Sequence, residues 1–163
     1  MKSVKRNGIH TRIISALLSL VMIFMVAVPA TTAHAAPEVV GNGTVGLSFG
    51  EQTSVLCGET ISGNVYSYDI GGTDAMNVSF TYDALAFKGL EVQPADGVTV
   101  LASEEIDNQV NMVLMVDPET ADYSNLLTVT ATAGDAEAVG AISISACEAA
   151  KEGNTVGITI AQD

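Results

Sequence analysis

Apolar and polar residues alternate along much of this chain. In the clearest case, Met76, Val78 and Phe80 are separated by Asn77 and Ser79. Such alternation gives a segment one apolar face and one polar face, which is the pattern of a β-strand packed on a core on one side. No long segment has the three-to-four spacing of an amphipathic helix. The pattern therefore predicts an all-β protein.

Short segments of this kind recur between Gly-rich or acidic turns. The predicted strands are Thr44–Phe49, Thr60–Asp69, Met76–Tyr82, Leu90–Val92, Thr99–Leu101, Gln109–Val116, Leu126–Ala133, Ala141–Ala146 and Thr155–Ile160. About nine short strands in one chain predict a β-sandwich of two sheets. The sequence has no Pro- or Ser-rich linker and no internal repeat, so we expect one domain.

The start of the chain has a different pattern. Basic residues are followed by the mostly apolar run Ile13–Ala30 and then by Ala33-His34-Ala35. Small residues at the two outer positions of that triplet are what a signal peptidase reads. We expect a signal peptide over residues 1–35, cleavage between Ala35 and Ala36, and a secreted domain over residues 36–163. An uncleaved membrane anchor is the competing interpretation, because the apolar run is at the lower edge of spanning length.

The composition of residues 36–163 excludes several functions. This segment keeps all nineteen acidic residues but only Lys88 and Lys151 among the six basic ones, and it contains neither His nor Arg. It lacks the usual general base, the commonest metal ligand and the bidentate anion clamp. A strongly acidic surface also repels nucleic acid and anionic membrane. We therefore expect a non-catalytic protein with no cofactor and no metal site of its own.

The acidity itself has two explanations. It provides solubility, or it steers a basic or calcium-loaded partner towards the protein. The cluster Glu104, Glu105 and Asp107 has no nucleophile or base beside it and is poor support for glycoside hydrolysis. Asp107 and Asn108 match no complete calcium loop.

Cys57 and Cys147 are the two cysteines of the chain. An even count in an exported protein permits a disulfide, which would stabilise the fold by about 4–5 kcal/mol in the chain-entropy model. The alternative is two separate thiols that behave as small apolar residues. The sequence does not decide between them. A redox-active pair is disfavoured because the two lack CxxC spacing.

Two further segments bear on the surface of the domain. Asp83 follows the strand ending at Tyr82 and is expected to form a turn, after which Leu85 and Phe87 would pack back on the core. The segment Val110–Val116 is apolar on both faces, with one interruption at Asn111. It is either covered by the following loop or presents an adhesive surface, for which Met residues are well suited.

These segments resemble the cohesin family. Tyr82-Asp83 followed by LAFKGLEV is similar to its YD-P-x-x-L-x-x-x-x-V signature, with Ala84 in place of Pro and a slightly different spacing to the closing Val. Gly58-Glu59-Thr60 resembles the family's entry into its second strand, and the segment TVTATA its strand after an acidic loop. The resemblance implies a jelly-roll β-sandwich that binds calcium-loaded dockerin modules in cellulosomes or on cell surfaces.

The family's recognition surface also implies where a partner would bind. It corresponds here to the strand before Tyr-Asp and to the strand before the acidic loop. The predicted partner-binding residues are Asn77, Ser79, Asn111, Leu114 and Asp117. Asn77 stands where the family often has Asp, so the hydrogen-bond pattern is expected to differ.

Two other kinds of function remain as alternatives, a carbohydrate-binding module and an extracellular adhesion or structural domain. Sugar platforms usually need several exposed aromatic side chains, and this chain has no Trp. The candidates for such a platform are Tyr66, Tyr68 and Tyr123. Polysaccharide binding is therefore a secondary expectation.

Overall fold

The computed structural model describes residues 38–161, and these form nine β-strands and no helix. The strands are β1 (Val39–Ser48), β2 (Thr60–Tyr68), β3 (Ala75–Tyr82), β4 (Phe87–Pro94), β5 (Val98–Ile106), β6 (Gln109–Val116), β7 (Leu127–Ala133), β8 (Ile142–Lys151) and β9 (Asn154–Ile160). The all-β prediction is confirmed. The predicted signal peptide and its cleavage between Ala35 and Ala36 lie outside the described residues. Among residues 38–161, the structure has no helix with the length and apolar character needed to span a bilayer.

Hydrogen bonds join the strands in the order β4-β7-β2-β1-β9-β8-β3-β6-β5. Strand β9 pairs in parallel with β1 and antiparallel with β8, so it connects the two halves of the molecule. We call β4, β7, β2 and β1 sheet A, and β8, β3, β6 and β5 sheet B. The two sheets pack face to face, and this arrangement is the predicted jelly-roll β-sandwich.

The core lies between the sheets and consists of the inward residues of their alternating strands. Sheet A contributes Val65 and Val129, and sheet B contributes Phe80 and Leu114, all of which are completely buried. Burying one such side chain stabilises the fold by about 1.5–3 kcal/mol. This alternation fixes which residues of each strand remain on the outer surface.

Several strands are longer than the sequence predicted, and β4 and β5 differ most in length. Strand β5 continues past Leu101 to Ile106 through Ser103, Glu104 and Glu105, which are exposed. Polar residues of this kind have weak strand propensity, but pairing with β6 holds them extended, with Glu104 opposite Asn111. Strand β4 is likewise lengthened by pairing with β7.

A two-residue turn joins β5 to β6. Asp107 and Asn108 both have positive φ, at 48° and 65°, the combination that a tight turn of type I′ requires. The two residues thus have a structural role in the hairpin. The turn sets the register of β6 against β5, and with it the side of the sheet to which each β6 residue points.

Candidate functional site

The outer surface of sheet B brings together three of the five predicted partner-binding residues. Strands β3 and β6 are antiparallel neighbours, with Ser79 opposite Asn111 and Asn77 opposite Val113. Because Met76, Val78 and Phe80 point into the core, the residues between them must point outward. Asn77 is exposed, while Ser79 and Asn111 are half-buried.

Hydrogen bonds hold the Asn111 side chain in place. The Ser79 hydroxyl donates to Asn111 Oδ1 at 2.7 Å, and the Gln109 amide donates to the same oxygen at 2.7 Å. Within residues 38–161 the Asn111 amide nitrogen has no acceptor, so its N–H groups are free to meet a ligand. Asn77, Ser79 and Asn111 line a shallow hollow of about 260 Å³.

Beside this polar hollow lies an exposed apolar patch. Val113 and Met115 are 41% and 50% exposed, and Leu101 on β5 is 60% exposed. A bulge between Val100 and Ala102 shifts the register of β5 at Leu101. An open groove of about 770 Å³ is lined by Leu101 and Met115 and has Asp74 and Asp117 at its rim. Sheet B therefore presents aliphatic side chains with carboxylates beside them.

Leu114 is a correction to the predicted site. Its side chain is completely buried in the core, so it has no surface with which to contact a partner. Its neighbours Val113 and Met115 occupy the outer face instead. The missed signal was the period of two, because residues 111, 113 and 115 of one strand share a face.

The loop after β6 does not cover this surface. Tyr123 of that loop packs against the core, its carbonyl accepts a hydrogen bond from Ser67 N at 2.7 Å, and its hydroxyl accepts one from Gly72 N at 3.2 Å. The loop is thus tied to sheet A and to the β2–β3 connection. Of the two alternatives for β6, cover by this loop is wrong, and Tyr123 is not an exposed sugar-binding aromatic.

Asp117 lies at the end of the apolar groove, away from the polar hollow. Its carboxylate accepts a hydrogen bond from Glu119 N at 3.0 Å and another from the Thr120 hydroxyl at 2.8 Å. These bonds hold the pKa of Asp117 below its ordinary value. Asp117 is therefore an exposed anion at neutral pH, beside the aliphatic side chains of the groove.

Further carboxylates flank the outer surface of sheet B. Glu148 on β8 lies opposite Asn77, and Glu104 on β5 lies opposite Asn111. Neither Lys residue of the described chain lies among them, because Lys88 pairs with Asp135 at 2.6 Å and Lys151 approaches the carbonyl of Gly71. This surface favours a basic partner.

The Tyr82-Asp83 pair has a structural role. Asp83 Oδ1 accepts a hydrogen bond from Leu85 N at 2.9 Å, which confirms the predicted turn. Tyr82 donates to Glu105 Oε1 at 2.6 Å, and this bond raises the pKa of Tyr82. The expected packing of Leu85 is wrong, because Leu85 is 83% exposed and Ala86 is buried in its place.

Both cysteines are free thiols in the structure. Cys57 is exposed in the β1–β2 loop, whereas Cys147 is in β8, opposite Val78. Burial, with a smaller contribution from Glu148, raises the pKa of Cys147 to about 12. Across residues 38–161, the structure places no group of three or more His, Cys, Asp or Glu side chains where they could hold a metal ion.

The fold can be compared with known structures. No protein-family profile matches the chain, and no curated protein sequence is significantly similar to it. The sixth cohesin of scaffoldin B from Acetivibrio cellulolyticus, solved with a Cel5 dockerin, is 14% identical with a TM-score of 0.58, over 74% of this chain and 94% of that one.

Two other cohesins come from different settings. A cohesin module of a family 33 glycoside hydrolase from Clostridium perfringens is 21% identical with a TM-score of 0.55, over 76% of this chain and all of that one. A non-cellulosomal cohesin from the archaeon Archaeoglobus fulgidus is 17% identical with a TM-score of 0.53, over 73% and 86% of the two chains. The chain therefore has the cohesin fold.

Proposed function

We propose that this protein is a secreted, non-catalytic binding module that recognises a dockerin-bearing partner in an extracellular polysaccharide-degrading assembly. The observation that carries the proposal is the outer surface of sheet B. There the exposed aliphatic residues Val113 and Met115 lie beside the amide groups of Asn77 and Asn111. Apolar anchors next to oriented polar groups are the usual composition of a protein interface.

The comparisons support the same proposal. The Acetivibrio cohesin was solved with a dockerin, and so was a type I cohesin from Clostridium thermocellum that is similar over 78% of this chain. The sequence of residues 36–163 also lacks the His and Arg side chains on which most acid–base and anion-binding chemistry depends. These observations therefore favour binding over catalysis as the function of this surface.

The charges suggest the chemistry of the partner. Asp74 and Asp117 border the apolar groove, and Glu104 and Glu148 flank the amide groups. A partner with an aliphatic anchor and Lys or Arg nearby would match this arrangement, and opposite charges would raise its association rate at low salt. Any calcium would belong to the partner.

A binding assay tests the proposal. The unit Pro37–Asp163 contains every described strand and would be immobilised and exposed to a panel of dockerins, with calcium and with chelator. We expect calcium-dependent capture by at least one of them, and a loss of affinity of about tenfold or more in Val113→Asp, because a charge would replace an apolar contact.

Asn64→Asp is the matched control, since it adds the same charge to the outer surface of sheet A. It should bind as the unsubstituted protein does. Failure of every dockerin to bind would refute the proposal. Equal affinity of the Val113→Asp and Asn64→Asp variants would refute the assignment of the surface.

A further inference from the structure

The outer surface of sheet A has a different composition from that of sheet B. From Thr44 to Ser48, and along the whole of β2 and β7, the outward residues are Thr, Ser, Asn, Tyr and Gly. None of these is charged or aliphatic, although the chain contains nineteen acidic residues. Two carboxylates lie beside these residues. Glu91 on the edge strand β4 accepts a hydrogen bond from Gln93 at 2.8 Å, and Asp122 accepts one from the Ser124 hydroxyl at 2.7 Å.

Two tyrosines lie next to each other on this surface. Tyr66 and Tyr68 are on the same face of β2, with ring centroids 5.3 Å apart and planes inclined by 49°. The Tyr66 ring lies over Gly46 of the neighbouring strand, where any Cβ would collide with it. The ring therefore lies along the sheet surface.

Packing explains the position of the Tyr66 ring but not that of the Tyr68 ring. An aromatic ring that covers a glycine in the next strand is a known stabilising arrangement, and it accounts for Tyr66. Tyr68 lies opposite Thr44, and 61% of its surface is exposed. The exposed Tyr68 ring beside the Tyr66 ring offers a ligand two adjacent apolar faces, inclined to each other by 49°.

Neutral hydrogen-bonding groups surround the two rings. Both tyrosines line an open hollow of about 570 Å³, to which Ser48, Asn64 and Ser124 also contribute. The Asn64 amide has no partner among residues 38–161, so it can both donate and accept hydrogen bonds. Such a surface matches a ligand that has hydroxyl groups on its edges and an apolar ring face.

We propose that the outer surface of sheet A binds a neutral polysaccharide, with hexose rings stacked on Tyr68 and Tyr66 and sugar hydroxyls bonded to Asn64. The outward residues of β1 from Thr44 to Ser48, of β2 and of β7 include no cation, and Lys88 on the edge strand β4 is paired with Asp135. In a strongly acidic domain this disfavours anionic glycans and nucleic acid. The absence of aliphatic anchors there disfavours a protein partner. This site lies on the sheet opposite the proposed dockerin surface and does not depend on it.

Two assays test this proposal. One is affinity electrophoresis in gels containing mixed-linkage β-glucan or mannan, and the other is pull-down on amorphous cellulose. Carboxymethylcellulose serves as the anionic counterpart. We expect at least one neutral glycan to retain the protein, and Tyr68→Ala to weaken retention by about tenfold. Because Tyr68 is largely exposed, that variant should unfold at the same denaturant concentration as the unsubstituted protein.

Two further variants make the test specific. Tyr68→Phe keeps the ring and should keep retention, and Val113→Asp alters only sheet B and should also keep it. The proposal is overturned if no neutral glycan retains the protein. It is also overturned if the Tyr68→Ala variant is retained as strongly as the unsubstituted protein, or if carboxymethylcellulose retains the protein better than the neutral glycans do.

Discussion

Three consecutive residues of β6 provide a direct test of which side of this strand is core. Leu114 is completely buried, whereas Val113 and Met115 are 41% and 50% exposed. Leu114→Ala removes buried methyl groups and leaves a cavity, and substitutions of this kind cost about 2.7–5 kcal/mol. Met115→Ala shortens a side chain that is already half in water, so we expect it to cost about 1 kcal/mol or less.

Urea unfolding followed by far-UV circular dichroism measures these differences, with tyrosine fluorescence as a second probe because the chain has no Trp. For a small domain the free energy of unfolding falls by about 1–3 kcal/mol per molar urea. The Leu114→Ala midpoint should therefore lie about 1 M or more below that of the unsubstituted protein. Val113→Ala is the control on the other side of Leu114, and its midpoint should stay close to that of Met115→Ala.

The opposite order of effects would refute the reasoning. A shift of one residue in the pairing of β6 would move its whole apolar set to the other face. In that case Val113→Ala and Met115→Ala would be the costly substitutions and Leu114→Ala the mild one. Equal losses in all three would mean that both faces of β6 are covered, which would remove the candidate surface.

Three further outcomes are expected. An aromatic disulfide reagent should modify the exposed Cys57 rapidly and the partly buried Cys147 much more slowly until the protein unfolds, since burial raises the pKa of Cys147 to about 12. Titration of no thiol in denaturant would show a disulfide instead. The folded protein keeps the Cys147 thiol protonated up to about pH 12, whereas the unfolded chain releases this proton near its ordinary pKa of 9.0. The resulting stabilisation is complete below pH 9, and the free energy of unfolding should fall by about 1.4 kcal/mol per pH unit from 9 towards 12. Cys147→Ala should reduce this slope, with Cys57→Ala as the control for loss of a thiol, and an unchanged slope would contradict the assignment. At the turn, Asn108 has a φ of 65°, so Asn108→Val should be less stable than Asn108→Gly by about 1–2 kcal/mol in urea unfolding, and equal stability would argue against this turn.

Much of the fold could be predicted because alternation is a local property. Strand β3 shows its buried face directly in Met76, Val78 and Phe80, and the structure agrees. Strand β5 shows no such alternation, because its C-terminal half is exposed and is held extended by pairing with β6. The register of the β5–β6 hairpin decides which residues pair, and the strand propensities of single residues do not contain this register.

The candidate site was harder to predict for a related reason. Asn77, Ser79 and Asn111 could be placed on one surface because the polar residues of an alternating strand share a face. Leu114 was misplaced because β6 is apolar at nearly every position, so composition gave no sign of which residues point outward. Asn111 is the polar exception in this run, and counting by two from it would have placed Val113 and Met115 outward and Leu114 in the core, as the structure has them.

The two outer surfaces of the sandwich differ in a way that folding does not require. Core residues such as Val65 and Leu114 satisfy the burial demands of both sheets from the inside. The outward residues around Tyr68 are therefore free to carry hydroxyl groups and no charge. Those around Met115 are free to be aliphatic, with carboxylates beside them. Packed sheets lie about 10 Å apart, and effects at such separated sites are usually additive. If both proposals hold, the protein partner on one side and the glycan on the other would bind with little energetic coupling between them.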